Sequence, residues 1–384
     1  MHRDDRVTTE PGDSPVTSVP RDYAPADAGH WFELPEGRDA GKKLFFWDVT
    51  LTTQGLVPTE ATAETVADLP VVLFVHGNPE CSYAYRNVVR ALRDRAVAGE
   101  FSLPVRLVAV DHIGFGLSST ATHEAVPMDH AENLDQLVGV LDLWDVTLVV
   151  HDWGGPIGIG ALLREPDRVT GLVACNTTVF PIPFVGPTFD DYPIGWLPWA
   201  DFPRVTPDRF WPAVASYAVF RQPAGEYRIL LELLFYLARV EGFGWFPEHE
   251  RDARRVYYEQ FEDEWNTRAS KRLVRQTRYW GHGNTFEDPR IGTRNTAPFY
   301  RAIHDGLGRE WGPSGCEVDV ELVFGGWDPL AKDAVLDQWA EALPQAEGHI
   351  TVLDGVSHFV EEERPERVAG AVVDAGGFAD AHTT

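Results

Sequence analysis

The stretch that decides the fold is residues 147–158, TLVVHDWGGPIG. A β-branched apolar run ends in His151, Asp152 and Trp153, and the glycines at 154 and 155 open a helix. Strand, abrupt turn and helix in that order expose one side chain at the carboxyl end of a strand, a turn that needs small residues around it. Gly154 supplies the small residue two positions after Asp152, whereas Val150 stands two before it. An aspartate here could also simply cap the helix that follows, so its partners decide its meaning.

Working outward, the apolar runs VVLFV (71–75), VRLVAV (105–110) and VTGLVACN (169–176) read as further buried strands. Helical patterns separate them, at about 82–93, 129–144 and 155–165; in the second, Leu134, Leu137, Val138, Leu141 and Trp144 recur at helical spacing. Two early strands, in HWFELP and KKLFFWDVTLTT, come before them, joined on by the turn-rich QGLVPTEATAETVADLP. This alternation predicts an α/β fold with a mostly parallel sheet and helices on both faces. It stops between about 180 and 298, where the chain is helical and aromatic. It resumes with VDVELVFGG (318–326), a helix near 331–343, HITVL and a helix after Pro365. The expected organisation is a disordered arm over 1–28, a core from 29–179 and 299–384, and an inserted helical cap over 180–298.

Composition narrows the function. The formal charge of -26 over 384 residues disfavours nucleic acid and anionic membranes as partners. The apolar stretch ILLELLFYLA (229–238) is too short for a membrane span and is interrupted by Glu232. The amino-terminal residues lack the apolar run of a signal peptide, so a cytoplasmic location is expected. Cys81, Cys175 and Cys316 offer neither a disulfide framework nor metal-ligand spacing. With four lysines, arginine carries nearly all the positive charge. An acidic, lysine-poor chain fits hydration in concentrated salt, while a GC-rich genome accounts for the arginine bias equally well.

Three further segments give Asp152 its partners. In VVLFVHGNPECSYAYR (71–86) a strand runs into His-Gly, the place where a strand–turn–helix nucleophile finds one backbone donor for an oxyanion. The expected donors are the N–H groups of Asn78 and Trp153. Asp328 follows the strand in VFGGWDPLAK (324–333), and His358 lies in LDGVSHFVEEERPERV (353–368), between the last strand and last helix. Nucleophile, acid and histidine in that chain order are the order of the α/β-hydrolase fold. The acid could instead follow the strand before the cap, but that position is Asn176, which is uncharged.

The segments HGNPECSYAYR, DHIGFGLSS, VVHDWGGPIG and SHFVEEERP resemble the haloalkane dehalogenase family of α/β-hydrolases. The resemblance covers the core on both sides of the cap. It implies an Asp152–His358–Asp328 triad with Asn78 and Trp153 as a halide-binding pair, the combination of one subgroup. That subgroup also includes β-lactone decarboxylases of olefin biosynthesis, which share the HGNP and DHIG sequences.

The chemistry of such a site follows from its residue types. A carboxylate is already ionised at neutral pH and can displace a leaving group from saturated carbon, giving an alkyl ester. His358 then draws a proton from water, which attacks the ester, while Asp328 fixes the imidazole tautomer. The Trp153 indole N–H and the Asn78 amide can donate to a departing halide. This chemistry calls for no cofactor and no metal. Its partners are a small apolar halogenated substrate and a halide ion, and the aromatic cap leaves a homo-oligomer open.

Two residues depart from that pattern, Glu80 and Cys81, which follow HGNP where small or hydroxyl residues are common in the family. Glu80 makes HG-x-P-E closer to epoxide hydrolases, which also carry Asp-Trp at the turn and use two cap tyrosines; Tyr217, Tyr227, Tyr236, Tyr257, Tyr258 and Tyr279 are available. Asn78 argues against them, because an aromatic residue is usual there. A non-catalytic scaffold is disfavoured by the intact triad. The acidic run after His358 reads as a solvated helix start, and YWGHGNTF (279–286) as a turn.

Overall fold

The computed structural model describes residues 5–59, 68–100 and 104–379. One sheet carries the architecture. Strands β1 (Val7–Thr8), β2 (Gly29–Glu33), β3 (Lys43–Thr52) and β4 (Gly55–Pro58) form its antiparallel side. Strands β5 (Val71–Val75), β6 (Val105–Val110), β7 (Val146–His151) and β8 (Val169–Cys175) follow, in the spatial order β3-β6-β5-β7-β8, all parallel beyond the β3–β6 junction. The expected mostly parallel sheet of an α/β-hydrolase fold is what forms.

Alternation along each strand builds two core layers. In β5, Val71, Leu73 and Val75 enter one apolar cluster while Val72 and Phe74 enter the other, the period of two that a pleated strand imposes. Helices α1 (Arg86–Val97), α2 (Pro127–Leu141) and α3 (Gly154–Leu162) cover the sheet. Helix α2 stops before Trp144, which the helical spacing had included. Asp142 turns left-handed at φ 46° and ends the helix. Trp144 is left exposed, its indole N–H donating to Asp142.

Between β8 and the next sheet strand lie α4 (Phe202–Val205), α5 (Trp211–Val219), α6 (Glu226–Phe243), α7 (Arg251–Glu259) and α8 (Glu264–Gln276). The segment expected to be wholly helical also holds a hairpin, β9 (Thr285–Asp288) with β10 (Gly292–Asn295). Its Arg294 forms a buried bidentate pair with Asp129 of α2, at 2.6 and 2.9 Å. No helix among the described residues is long and apolar enough to cross a membrane. Helix α9 (Ala297–Trp311) leads back to β11 (Asp319–Gly325), α10 (Asp333–Ala342), β12 (Ile350–Leu353), α11 (Val360–Glu363) and α12 (Pro365–Ala375). Strand β11 joins β8, and β12 closes that edge.

The arm expected to be disordered makes defined contacts, although residues 5–15 stay at least partly exposed. Strand β1 pairs with β2, and Tyr23 is 2% exposed with its hydroxyl donating to Asp111 at 2.7 Å. Its polar composition hid these contacts, because one aromatic ring and a few hydroxyls make them.

Candidate active site

Asp152 ends the turn after β7 with φ 51°, a left-handed conformation that costs energy for a residue with a Cβ. Surrounding contacts impose it. Thr177 Oγ1 donates to the Asp152 carbonyl at 2.5 Å. A Cβ on Gly154 would stand 2.1 Å from the Val75 carbonyl oxygen, and one on Gly77 would stand 2.3 Å from the Asp152 Cβ. The turns after β5 and β7 therefore close on each other only with glycine at both positions. The backbone N–H of Asn78 donates to Asp152 Oδ1 at 2.8 Å.

The other carboxylate oxygen, Oδ2, lies 3.2 Å from His358 Nε2. His358 Nδ1 is hydrogen-bonded to Asp328 Oδ2. Asp328 also accepts the Leu330 N–H at 2.8 Å and the Asn176 amide at 3.1 Å. The two positions that could have supplied the acid thus converge, the uncharged one serving the charged one. Burial disfavours charge on His358, but the Asp328 and Asp152 carboxylates outweigh it and hold its pKa well above the ordinary value.

Asn78 has a defined amide orientation. The Trp211 indole, which can only donate, gives its N–H to Ser270 Oγ at 3.0 Å; the Ser270 hydroxyl in turn donates to Asn78 Oδ1 at 2.6 Å. The Asn78 Nδ2 donors are therefore turned elsewhere, buried and without a protein partner. Sequence reasoning named Asn78 but missed Ser270 and Trp211, which reach it from the helical block.

A narrow cavity adjoins these groups. Asn78, Asp152 and His358 line it together with Phe189, Tyr192, Trp199, Phe202, Ile229 and Leu233. Trp153 is not among the lining side chains. It is 1% exposed and stacks on Trp280 at 3.9 Å between ring centroids. The expected turn at 279–286 thus carries a ring that buttresses the residue beside Asp152, a role for which its sequence gave no sign.

Behind His358 lies a second buried group. His151 Nε2 donates to the His358 carbonyl at 2.9 Å, and His151 Nδ1 lies 2.8 Å from Glu80 Oε2. Burial lowers the His151 pKa, raises Glu80 to about 8 and pushes Glu361 well up. A neutral His151 with its proton on Nε2 leaves Nδ1 as an acceptor, so the protonated Glu80 is its donor. The ligand atoms of Glu80, His151 and Glu361 lie within 4.8 Å of one another and could surround an ion. A neutral Glu80 carboxyl bonded to a neutral imidazole fits proton sharing better than a cation. The acidic run after His358 is not the solvated face expected of it: Glu361 is fully buried, and Glu362 pairs with Arg86 at 2.6 Å and accepts from Tyr257 at 2.9 Å.

A carboxylate on a strained turn, an imidazole at hydrogen-bond range and a second carboxylate after a later parallel strand define an α/β hydrolase. The chain belongs to the alpha/beta hydrolase fold family, whose model matches residues 70–365. It is 41% identical over 122 residues to a cis-3-alkyl-4-alkyloxetan-2-one decarboxylase of Shewanella oneidensis, covering 31% of this chain and 35% of that one. It is 38% identical over 113 residues to haloalkane dehalogenase 2 of Mycobacterium tuberculosis, covering 29% and 36%. These matches span about a third of either relative, at 35% and 36%. A haloalkane dehalogenase of Mycolicibacterium paratuberculosis is 29% identical over 314 residues, covering 80% of this chain and 83% of that one. The fold is shared with the tetrameric haloalkane dehalogenase DpaA from Paraglaciecola agarilytica, at TM-score 0.56 and 18% identity over 94% of this chain and 97% of that one.

Proposed function

We propose that the protein is a haloalkane dehalogenase that converts a carbon–halogen bond to an alcohol, a halide ion and a proton through an ester on Asp152. The observation that carries the reading is the unpartnered Asn78 Nδ2 at a cavity wall shared with Asp152. A buried N–H without a partner costs about 1–3 kcal/mol, and an anion leaving carbon in an apolar cavity is the partner it lacks.

In the first step Oδ2 of Asp152 attacks the halogen-bearing carbon, and the C–X electron pair departs with the halide toward the Asn78 amide, the donor of the expected pair that lines the cavity. Esterification removes one of the two charges that raise the His358 pKa, so the imidazole can release its proton before the second step. His358 Nε2 then takes a proton from water, and the resulting hydroxide attacks Asp152 Cγ. Negative charge collects on Oδ1, which already accepts the Asn78 N–H. Asp328 holds the imidazole orientation and offsets its positive charge. Collapse expels the alcohol and restores the carboxylate.

A β-lactone decarboxylase is the second reading, favoured by the identity to the Shewanella oneidensis relative. There the same aspartate would attack the ring and carbon dioxide would be lost. Epoxide hydrolysis is less well supported. Of the six tyrosines weighed for it, Tyr217 lines the cavity, and its hydroxyl donates to the Ile229 carbonyl at 3.2 Å.

The test is release of bromide from 1-bromobutane or 1,2-dibromoethane beside release of carbon dioxide from a disubstituted β-lactone. Halide turnover is the expected result. Gas release without halide turnover replaces the first reading with the second, and neither product removes both.

A further inference from the structure

The wall of this largely apolar cavity contains one unpaired cation. Arg221 follows α5, lines the cavity and is 7% exposed. Its guanidinium carbon lies 4.8 Å from the Tyr192 ring centroid and 4.5 Å from that of Trp327. One Nη donates to the Tyr192 hydroxyl, while Nε and Nη1 are buried and have no hydrogen-bond partner.

Most other buried arginines are matched with carboxylates; Arg254, the exception, gives its Nε–H to the His249 carbonyl at 3.1 Å and has no buried donor left without a partner. Arg86 pairs with Glu250 and Glu362, Arg106 with Asp48, and Arg294 with Asp129. Among the described residues, no carboxylate stands in ion-pair contact with Arg221. A guanidinium held out of water with two donors idle is costly unless an anion completes it. Its planar fork can bind a carboxylate through two parallel bonds, one from the remaining Nη2 hydrogen and the other from Nε or Nη1. The aromatic rings on either side fix its plane without satisfying those donors. Trp327 immediately precedes Asp328, and the Tyr192 ring packs on Trp327 at 5.2 Å, so the cation stands close to the triad.

We propose that Arg221 binds a carboxylate, so that a substrate which is an organic acid, or becomes one during reaction, is preferred over a plain haloalkane. The inference rests on the reading of Asp152 as nucleophile for the turnover it affects, but not for the binding itself. Two sources supply the same chemistry. The substrate can carry the group from the start, as in an ω-halogenated alkanoate whose halogen faces Asp152. Alternatively the group is born in the site: attack on a β-lactone ring carbon breaks its C–O bond and leaves the electron pair on a new carboxylate.

Binding is tested first, by titrating the full chain calorimetrically with hexanoate and with hexan-1-ol. Hexanoate is expected to bind at least about tenfold more tightly, as a charge-assisted bidentate pair would give. Arg221→Met should abolish that preference and Arg221→Lys should keep part of it. Equal affinity of the wild-type protein for the two ligands overturns the proposal, whether or not the variants fold.

Turnover then separates the sources, using bromoalkanoates of three to six carbons beside bromoalkanes of matched length. A fall of about tenfold or more in the ratio of their kcat/KM values in Arg221→Met assigns the carboxylate to the substrate. A comparable fall in carbon dioxide release from a disubstituted β-lactone, with the bromide ratio unchanged, assigns it to the opened ring. No change in either overturns the inference. Tight hexanoate binding through Arg221 without any halide or carbon dioxide release defeats the reading of Asp152 and leaves the carboxylate site standing.

Discussion

The backbone N–H of Asn78 and the side chain of Asp152 are joined by a 2.8 Å hydrogen bond to Oδ1. The two oxygens of one carboxylate are therefore already unlike before any substrate arrives. One rests where oxyanion charge would gather, and the other faces His358 at 3.2 Å.

Replacing the imidazole should separate the two halves of the reaction. His358→Phe is expected to be alkylated by 1-bromobutane but to lose ester hydrolysis by about 10²–10⁴-fold. Intact-mass spectrometry should find a persistent butyl adduct on the variant. A variant of unchanged mass after incubation with a substrate of the wild-type enzyme speaks against the covalent route.

The Asn78 amide and its brace should have graded effects. Asn78→Ala removes a donor to the leaving anion and should slow halide release by about 10²–10³-fold. Ser270→Ala leaves the amide in place but frees it to rotate, and a loss of about 1 kcal/mol, roughly fivefold, is expected. Steady-state halide assays on both variants check the order, and equal losses contradict the bracing role.

Glu80 should make stability depend on pH. Its pKa rises from 4.5 in the unfolded chain to about 8 in the folded one, because burial disfavours its charge. Between those values the folded state holds the extra proton, so stability should fall as pH rises from about 4.5 to about 8 and then level off. Glu361, His151 and His358, shifted in the same buried surrounding, also shape the curve. Glu80→Gln should flatten it, which chemical denaturation at a series of pH values can measure.

The Arg294–Asp129 pair should be structural. Removing one partner leaves the other charged and buried, at a cost of about 3–5 kcal/mol. Asp129→Ala is therefore expected to lower the melting temperature by several degrees. An unchanged melting temperature shows that the hairpin is not held by this contact.

Much of this was legible because catalytic turns have local signatures. The run 147–158 announced its strand, turn and helix. Asp328 and His358 declared themselves by following later strands in the required order. What stayed hidden depends on contacts distant in sequence. Arg221 sits in VFRQP, where nothing distinguishes it from a surface arginine until Tyr192, Trp327 and the cavity close around it. Ser270 and Trp211 lie 192 and 133 positions from Asn78, so no spacing rule connects them. Glu80 and Glu361 look like solvent-facing acids until the fold stacks them under His358. The β9–β10 hairpin escaped because its strands are four residues each and flanked by turn formers.

Residues 14–23 act as a mooring line between the sheet and the inserted helices. Ser14 donates to the Gly116 carbonyl and Tyr23 to Asp111, whereas the N–H groups of Thr17 and Ser18 both reach Glu259, the last residue of α7, at 2.8 and 2.7 Å. One flank of the helical block is thereby tied to the sheet, while the irregular stretch from 181 to 198, with Phe189 and Tyr192 on its inner side, is held by the Lys332 ammonium at the Pro183 and Pro187 carbonyls. A chain trimmed to begin at Ala28 should keep its bond-breaking step while product escape accelerates, a distinction that stopped-flow kinetics reads directly.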